Sequence, residues 1–490
     1  MKVYDTNHIR NVALVGHSGA GKTQLASALL FDTNAVNRLG LVDEGTTVTD
    51  FDEEEIARKH TLSSGTAFVE WNKTKINLID TPGMANFFSD ARSALRVAEA
   101  AIVVVDAVAG AEVLTEKVWG AAKELELPCL VVLNRLDRER ASLTRSLESL
   151  QEAFGRTVVS IQLPIGEEKD FRGVVDLVAM KAVMFSNDGR GTPSIVDIPA
   201  ELTDEAKTAR EALTELVAEA DDSLMERFFE AGTLTQEELK VGLRNATASR
   251  LLFPLVCTSA TTNVGIQSLL ETILSYVPSP EQRALQVVDA ASGEPTAADS
   301  DSAAALVWKT IADPFAGRIT MFRVVSGSVE SDSTMQNVST DIVERIGSVA
   351  LMQGKTQHGV AEIKAGDLGS VAKLKDTRTG DTLASKNATW RFPPFQFTEP
   401  VLSYAIEPKS RGDEEKISTA LQRLQEEDPT IRYARDSQTS QLLLSGQGQL
   451  HIEVTVAKLK RRFGVEVNLK LPRIPYRETI KSATEAHGRH

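Results

Sequence analysis

Three glycines, a lysine and a threonine stand at fixed spacing in Gly16-His17-Ser18-Gly19-Ala20-Gly21-Lys22-Thr23, which fits GxxxxGK[ST]. Such a loop turns its backbone N–H groups inward around a phosphate, and the helix after it adds positive potential at its N-terminus. Lys22 is then placed to reach the β- and γ-phosphates of a nucleotide, and the Thr23 hydroxyl to ligate Mg²⁺. The apolar run VALVG leads in and KTQLASALLF leads out, the strand-to-helix context the motif needs. A glycine-rich turn without a ligand accounts for neither the spacing nor the context.

Three further segments complete a purine site. Asp80-Thr81-Pro82-Gly83, with Met84 after it, closes the apolar run INLID. Alone this is a common turn. Downstream of a phosphate loop, Asp80 is expected to hold Mg²⁺ through water and the Gly83 N–H to sense a γ-phosphate. Asn134-Arg135-Leu136-Asp137 follows LVVLN and fits NKxD with Arg for Lys. A carboxylate at Asp137 accepts from both N1–H and the 2-amino group of guanine, a donor pair adenine lacks. Asn134 would tie the base loop together, and Arg135 could lie along the base by stacking. Thr258-Ser259-Ala260, after FPLVC, offers backbone N–H groups to the guanine O6. In this order the four segments point to guanine nucleotides, GTP and GDP, over adenine nucleotides.

The elements that must carry these loops are legible as periodicity. VALVG, INLID, AIVVVDA, LVVLN and FPLVC are near-continuous apolar runs, as in a parallel sheet covered on both faces. Helical stretches alternate with them, so a doubly wound α/β domain is expected over residues 1–280. The alternation breaks between about 157 and 250, which reads as an insertion of short strands and charged helices. Residues 281–303 read as a linker or a strand leading into the next domain. Short β runs over 304–397 predict a small β-barrel, and 398–482 a small α+β domain. Residues 483–490 form a tail or the start of a further domain.

Composition narrows the class. The 490 residues are 42% hydrophobic and 25% charged, with net charge −14, an ordinary globular composition that excludes a disordered chain. Bulk charge does not attract nucleic acid, so DNA is not an expected partner. No uninterrupted apolar run reaches the ~18 residues of a membrane span. The start MKVYDTNHIR has no apolar core, so no leader is expected. Cys129 and Cys257 are the two cysteines and sit in apolar runs; a reducing, cytoplasmic setting fits.

Beyond the four motifs, the chain resembles the translational GTPases of the elongation factor G family, and its divergent elongation-factor-G-like paralogues in the loop Glu44-Gly45-Thr46-Thr47-Val48-Thr49-Asp50. Ile311-Ala312-Asp313-Pro314-Phe315-Ala316-Gly317, Ile363–Asp367 and Thr379–Leu383 are similar to that family's second domain. Glu426–Pro429 and Gly446–His451 are similar to its third, and Pro475–Thr479 to the exit from it. The resemblance implies GTP hydrolysis to GDP and phosphate, Mg²⁺, a ribosomal partner (RNA and protein) and a monomer. It also implies that Thr61, within Arg58-Lys59-His60-Thr61-Leu62, ligates Mg²⁺ from the first switch loop. Lys22, Thr61 and Gly83 would then be the catalytic positions. The family's fourth and fifth domains would follow His490, so this chain is not expected to complete translocation.

Three positions depart from the family. Met84 replaces the catalytic His, and a thioether neither donates a hydrogen bond nor carries a proton. Gly19 replaces an Asp of the phosphate loop, and Arg-Lys-His-Thr-Leu the usual switch sequence. Two readings stay open: a ribosome-associated GTPase, or a non-hydrolysing GTP-binding regulator. Translocase, ribosome-protection and release-type roles are not separated. Three lesser candidates remain. Lys458-Leu459-Lys460-Arg461-Arg462 reads as an RNA-facing patch or a solvated helix face. Asp52-Glu53-Glu54-Glu55 reads as a metal cluster or a helix start. His60 reads as a substitute imidazole or a solvent-facing loop residue.

Overall fold

The computed structural model describes residues 2–489 apart from Asn187, 298–301, 314–316, Asn387 and Arg411. Pro314-Phe315-Ala316 of the second-domain motif lie outside the described residues. The chain forms two units, 1–396 and 397–490.

The first unit opens with β1 (Ile9–Val15), α1 (Lys22–Asp32), α2 (Glu53–Arg58), β2 (Gly65–Trp71), β3 (Thr74–Asp80), α3 (Phe88–Leu95), β4 (Ala100–Asp106), α4 (Val113–Glu124), β5 (Cys129–Asn134), α5 (Leu143–Phe154) and β6 (Val158–Ser160). After an excursion come β11 (Phe253–Cys257) and α9 (Ile266–Tyr276). The sheet order is β2-β3-β1-β4-β5-β11-β6. Every neighbouring pair is parallel except β2–β3. Successive residues point to opposite faces, and both faces are apolar. Val12, Leu14, Ile102, Val104 and Leu130 pack with Leu25 and Leu29 of α1 and Leu269 of α9. Ala13, Val15, Val103, Val105 and Val131 pack with Leu114 and Val118 of α4. This is why every residue of β3, β4 and β5 is buried.

The excursion holds β7 (Gln162–Ile165), β8 (Gly173–Asp176), β9 (Lys181–Phe185), β10 (Pro193–Val196), α6 (Thr203–Glu219), α7 (Asp222–Ala231) and α8 (Gln236–Ala248). Its strands form a separate antiparallel sheet. The expected start at 157 needs correction. Val158–Ser160 belongs to the central sheet, paired in parallel with β11. Ile161 alone separates it from β7, which pairs with β8 instead. One continuous apolar stretch thus serves two sheets.

Residues 304–384 build the antiparallel β domain around an eight-stranded sheet centred on Ala304–Asp313 and Gly317–Ser326. The supposed linker contributes strand Val287–Asp289, which pairs with Pro295–Thr296 and with Trp390–Arg391. A polar network joins this domain to the nucleotide-domain sheet. Lys75 Nζ donates to Asp367 at 2.7 and 2.8 Å, and Asn77 Nδ2 to Asp367 and Asn11. Arg323 Nη2 stands 2.5 Å from Glu99 Oε1, both fully buried. Burial pushes the Glu99 carboxyl up and the Lys75 amine down, and the opposite charge beside each opposes that shift.

In the second unit an antiparallel sheet of Leu402–Pro408, Arg432–Arg435, Leu442–Gly446 and Val467–Lys470 packs on helices Glu414–Glu427 and Gln449–Phe463. Ile406, Leu421, Leu444 and Leu459 fill its core. Lys458 and Arg462 both donate to the buried Glu427 carboxylate, and Lys460 pairs with Glu466. At least three of the tract's four cations thus have a carboxylate partner within their own unit, two of them sharing Glu427. No helix among the described residues is long and apolar enough to cross a membrane.

Removing one member of a buried ion pair leaves the other without its countercharge, at about 3–5 kcal/mol. Lys75→Met is expected to cost that much in urea unfolding monitored by tryptophan fluorescence, since Trp308 lies fully buried in the β domain.

Candidate nucleotide site

The carboxyl ends of the parallel strands all open on one edge of the sheet, and the four predicted loops leave from there. At the end of β1 the chain turns through Gly16 (φ 143°), Gly19 (φ 86°) and Gly21 (φ 93°) before α1 begins at Lys22. A Cβ on Gly16 would lie 2.2 Å from the Val104 carbonyl oxygen, so no other residue fits. Lys22 Nζ folds back on the loop, donating to the carbonyls of Gly16 at 3.0 Å and His17 at 2.9 Å. Burial lowers its pKa to about 8, opposed by Asp80 and Asp50. His17 accepts from Leu114 N–H at 3.3 Å through Nδ1, and its Nε2 lies 3.5 Å from Glu112. Its imidazole is thereby committed to the start of α4.

The Asp80 turn leans over this loop. Thr81 Oγ1 donates to Leu14 O at 2.7 Å, pinning the turn to β1. Gly83 comes so close that a Cβ would stand 2.3 Å from Lys22 Nζ and 2.8 Å from Ser18 N. Met84 is half-buried at the first turn after it, preceding a short 3₁₀ segment Ala85–Phe87. His60 is exposed, with no hydrogen bond to its ring among the described residues.

Thr23 and Thr61 meet, Oγ1 to Oγ1 at 2.8 Å, and Thr61 also donates to Asp50 Oδ1 at 2.8 Å. Thr49 Oγ1 donates to Asp80 Oδ2 at 2.8 Å, while Asp80 Oδ1 is buried without a hydrogen-bond partner. The Thr23 hydroxyl lies near enough to favour an ionised Asp80, but not in hydrogen-bond geometry. Burial drives the Asp80 carboxyl up, and it raises Asp50 to about 7 with the Asp80 charge adding to the push. An orphaned, fully buried carboxylate oxygen beside two hydroxyls suits a hard, oxygen-seeking cation such as Mg²⁺, which takes few protein ligands and completes its shell with phosphate and water.

Thr49, Asp50 and Glu55 stand in segments the sequence singled out, but their contacts with Asp80 and with Thr61 and the backbone beside it were not foreseen. Glu55 is buried and accepts from Leu62 N–H and Ser63 N–H at 3.0 Å each, which fixes the backbone beside Thr61. Its pKa rises to about 8, chiefly from burial and then from Asp50. Asp52 caps α2 in a capping box with Glu55, so the acidic run starts a helix. The segment is anchored further by Lys309 of the β domain, which donates to Ser63 Oγ and Asp90 Oδ2 at 2.6 Å each. Asp90 lies on α3, downstream of the Asp80 turn, so one buried amine ties the switch segment past Thr61 to the helix past Gly83.

On the base side, Asn134 joins three loops. Its Nδ2 donates to Ala20 O at 2.9 Å, and its Oδ1 accepts from Ala260 N–H at 3.0 Å and Thr258 Oγ1 at 3.2 Å. A Cβ on Gly21 would lie 2.4 Å from that Nδ2, so the glycine is required by the approach. Asp137 Oδ1 accepts from Ser259 Oγ at 2.6 Å. Arg135 (φ 68°) pairs with Asp106 at 3.1 Å and lies beside Gly21. The N–H groups expected to meet guanine O6 are already donated in this structure: Thr258 to Leu133 O, Ser259 to Val264 O and Ala260 to Asn134. An O6 acceptor would have to share or take over the Ala260 N–H. Cys129 and Cys257 are free and buried, and burial pushes both thiols up, that of Cys129 to about 12.

Asn134→Ala is expected to lower GDP and GTP affinity at least about tenfold by unmaking these ties, read by titration calorimetry. The loss should fall on both nucleotides alike.

Residues 7–279 match the family model of the elongation factor Tu GTP-binding domain, 302–386 that of elongation factor G domain 2, and 397–471 that of elongation factor G domain III. Among solved structures, a crystal structure of a protein from Thermus thermophilus is similar over 97% of this chain and 69% of its own, with 33% identity and a TM-score of 0.87.

Proposed function

The chain belongs to the elongation-factor-G-like translational GTPases, and on that premise we propose that it binds GTP and GDP with Mg²⁺ in the pocket described above and hydrolyses GTP on the ribosome. The observation that carries the reading is the Asn134 tie, which holds the phosphate loop and the Thr258–Ala260 loop together beside the Asp137 carboxylate. In this reading the domains are 1–280, with an insertion from 161 to about 250, then 304–397 and 398–482, acting as a cytoplasmic monomer.

The amides of Ser18 to Thr23 and the Lys22 ammonium would bind the β- and γ-phosphates. Thr23, Thr61 and, through water, Asp80 would hold Mg²⁺, which when bound neutralises the charge that builds on the phosphate oxygens. Water is the nucleophile; its oxygen bonds to the γ-phosphorus as the bond to the β,γ-bridging oxygen breaks, leaving GDP and inorganic phosphate. The Gly83 N–H would mark the γ-phosphate, and its release would free the Thr61 and Gly83 segments together. Asp137 would accept from guanine N1–H and N2–H, with Arg135 along the base.

No side chain of this site is placed as a general base. Met84 therefore supports a second reading, in which the chain is a slow or non-hydrolysing GTP-binding regulator that occupies a ribosomal site. Multiple-turnover phosphate release with purified ribosomes separates the two. The first expects a ribosome-dependent rate well above that of Lys22→Ala, and a rate equal to that variant leaves the second. Base specificity is tested apart from turnover. Asp137→Asn is expected to weaken GDP binding roughly a hundredfold or more, and to favour xanthosine diphosphate, whose 2-carbonyl accepts from an amide.

A further inference from the structure

A cavity of about 530 Å³ opens at the other edge of the central sheet, where the parallel strands begin. Five arginines line it: Arg10 at the start of β1, Arg96 after α3, Arg244 on α8, Arg250 just beyond α8, and Arg283 in the segment leaving α9. Glu124 and Glu126 are its lining carboxylates. Five positive against two negative charges leave an excess of three, in a chain whose net charge is −14.

The guanidinium groups are held mostly by backbone carbonyls. Arg283 donates to Ala98 O at 3.0 Å and Leu125 O at 2.9 Å. Arg96 donates to Pro393 O at 2.9 Å and Pro394 O at 3.3 Å, and its guanidinium lies over the Phe395 ring. Arg244 donates to Ser275 O through Nε, and Arg10 to Asn7 O and Ile9 O through Nη1. Arg10 Nε is buried with no partner. Among the described residues, Arg250 alone of the five has a carboxylate within 4 Å, that of Glu126 at 3.4 Å. Glu124 is drawn off by Arg92, which does not line the cavity.

Carbonyl contacts orient a guanidinium but do not neutralise it, and the buried Glu99 that acts on Arg10 and Arg283 is already paired with Arg323 and Asn11. Gathering such groups costs free energy. Burial lowers the pKa of Arg10, Arg96 and Arg283; Arg244 adds to that shift at Arg10, and Arg323 and Arg250 at Arg283, while the buried Glu99 opposes it at both. A cluster serving only packing would be matched by carboxylates. Instead the forks are fixed in advance, so an anion entering them orders little that is not already ordered. The volume is that of a small-ligand site, and its walls come from the nucleotide domain, the insertion, the connecting segment and the β domain (Leu306, Phe392). A concave site among four segments suits a compact ligand better than the backbone of a nucleic acid duplex.

We propose that this cavity is a second anion site that takes a small molecule bearing a di- or triphosphate group, separate from the nucleotide site. Its occupant bridges the insertion, through Arg244, to the start of β1 and to the connecting segment.

Inorganic tripolyphosphate is the probe, added to the full chain with GDP and Mg²⁺ in excess so that the phosphate loop is filled. The melting temperature should rise with probe concentration, and the rise should weaken steeply with added salt. It should persist in Lys22→Ala. Arg244→Gln/Arg250→Gln, at exposed positions and with its fold verified by unchanged GDP affinity, should bind the probe at least about tenfold more weakly. The proposal is overturned if the wild-type chain shows no shift at millimolar probe, if Lys22→Ala abolishes it, or if the double variant binds as the wild type. A short RNA that binds while tripolyphosphate does not would equally overturn it, in favour of a nucleic-acid surface.

Discussion

One side-chain amide carries the arrangement of the nucleotide edge. Asn134 donates to the phosphate loop at Ala20 and accepts from the loop after β11 at Ala260 and Thr258. The three strands that end there are parallel, and they differ widely in sequence position. A parallel sheet brings such ends to one side, but it does not fix loops against each other. A buried amide with both ends satisfied does, because each of its groups left buried and unpaired would cost more than the bond's net contribution. Gly21 has no Cβ because that amide passes too close for one.

The phosphate end obeys a different constraint. Asp80 and Asp50 are buried near one another, and burial pushes both carboxyls up, so each makes negative charge at the other more costly. Lys22 offsets part of that cost from among the loop carbonyls. Thr23, Thr61, Asp50 and Thr49 then form chains of hydroxyl and carboxylate contacts that reach from the phosphate loop to the first switch. Glu55 below and Lys309 from the β domain fix the backbone just past Thr61. The switch is thus held at three points by groups from three parts of the chain.

The strands of the central sheet were legible because burial on both faces leaves no polar alternation to confuse the pattern. β2 was not, since it is the antiparallel edge strand and mixes Thr66, Glu70 and Trp71 with its apolar residues. β6 was absorbed into the insertion because nothing in Val158–Ile165 marks the residue at which one sheet is exchanged for another. Residues 281–303 left a linker and a strand both open, because the partner of Val287–Asp289 in the sheet, Trp390–Arg391, lies far along the chain. The motif residues were legible by spacing. The contacts of Asp50, Glu55 and Lys309 were not, because a carboxylate or amine that serves a backbone or a hydroxyl has no fixed spacing to its client. Lys458–Arg462 was legible as charge but not as paired charge, for its Glu427 partner lies on another helix.

The central sheet leaves off at Ser160 and resumes at Phe253, and the strand that returns lies directly against the one that departed. Between them stands a whole subdomain with its own sheet and helices. This sets the order of assembly. β1, β3, β4 and β5 can pair while the chain is still short, but the slot between β5 and β6 must wait for β11 and for closure of a long loop. The anchor for Asn134 Oδ1 comes with that late strand. A chain emerging residue by residue can therefore shape the loop after β1 well before the loop after β11 is there to meet Asn134, and an interruption within the insertion leaves the earlier half without the later one.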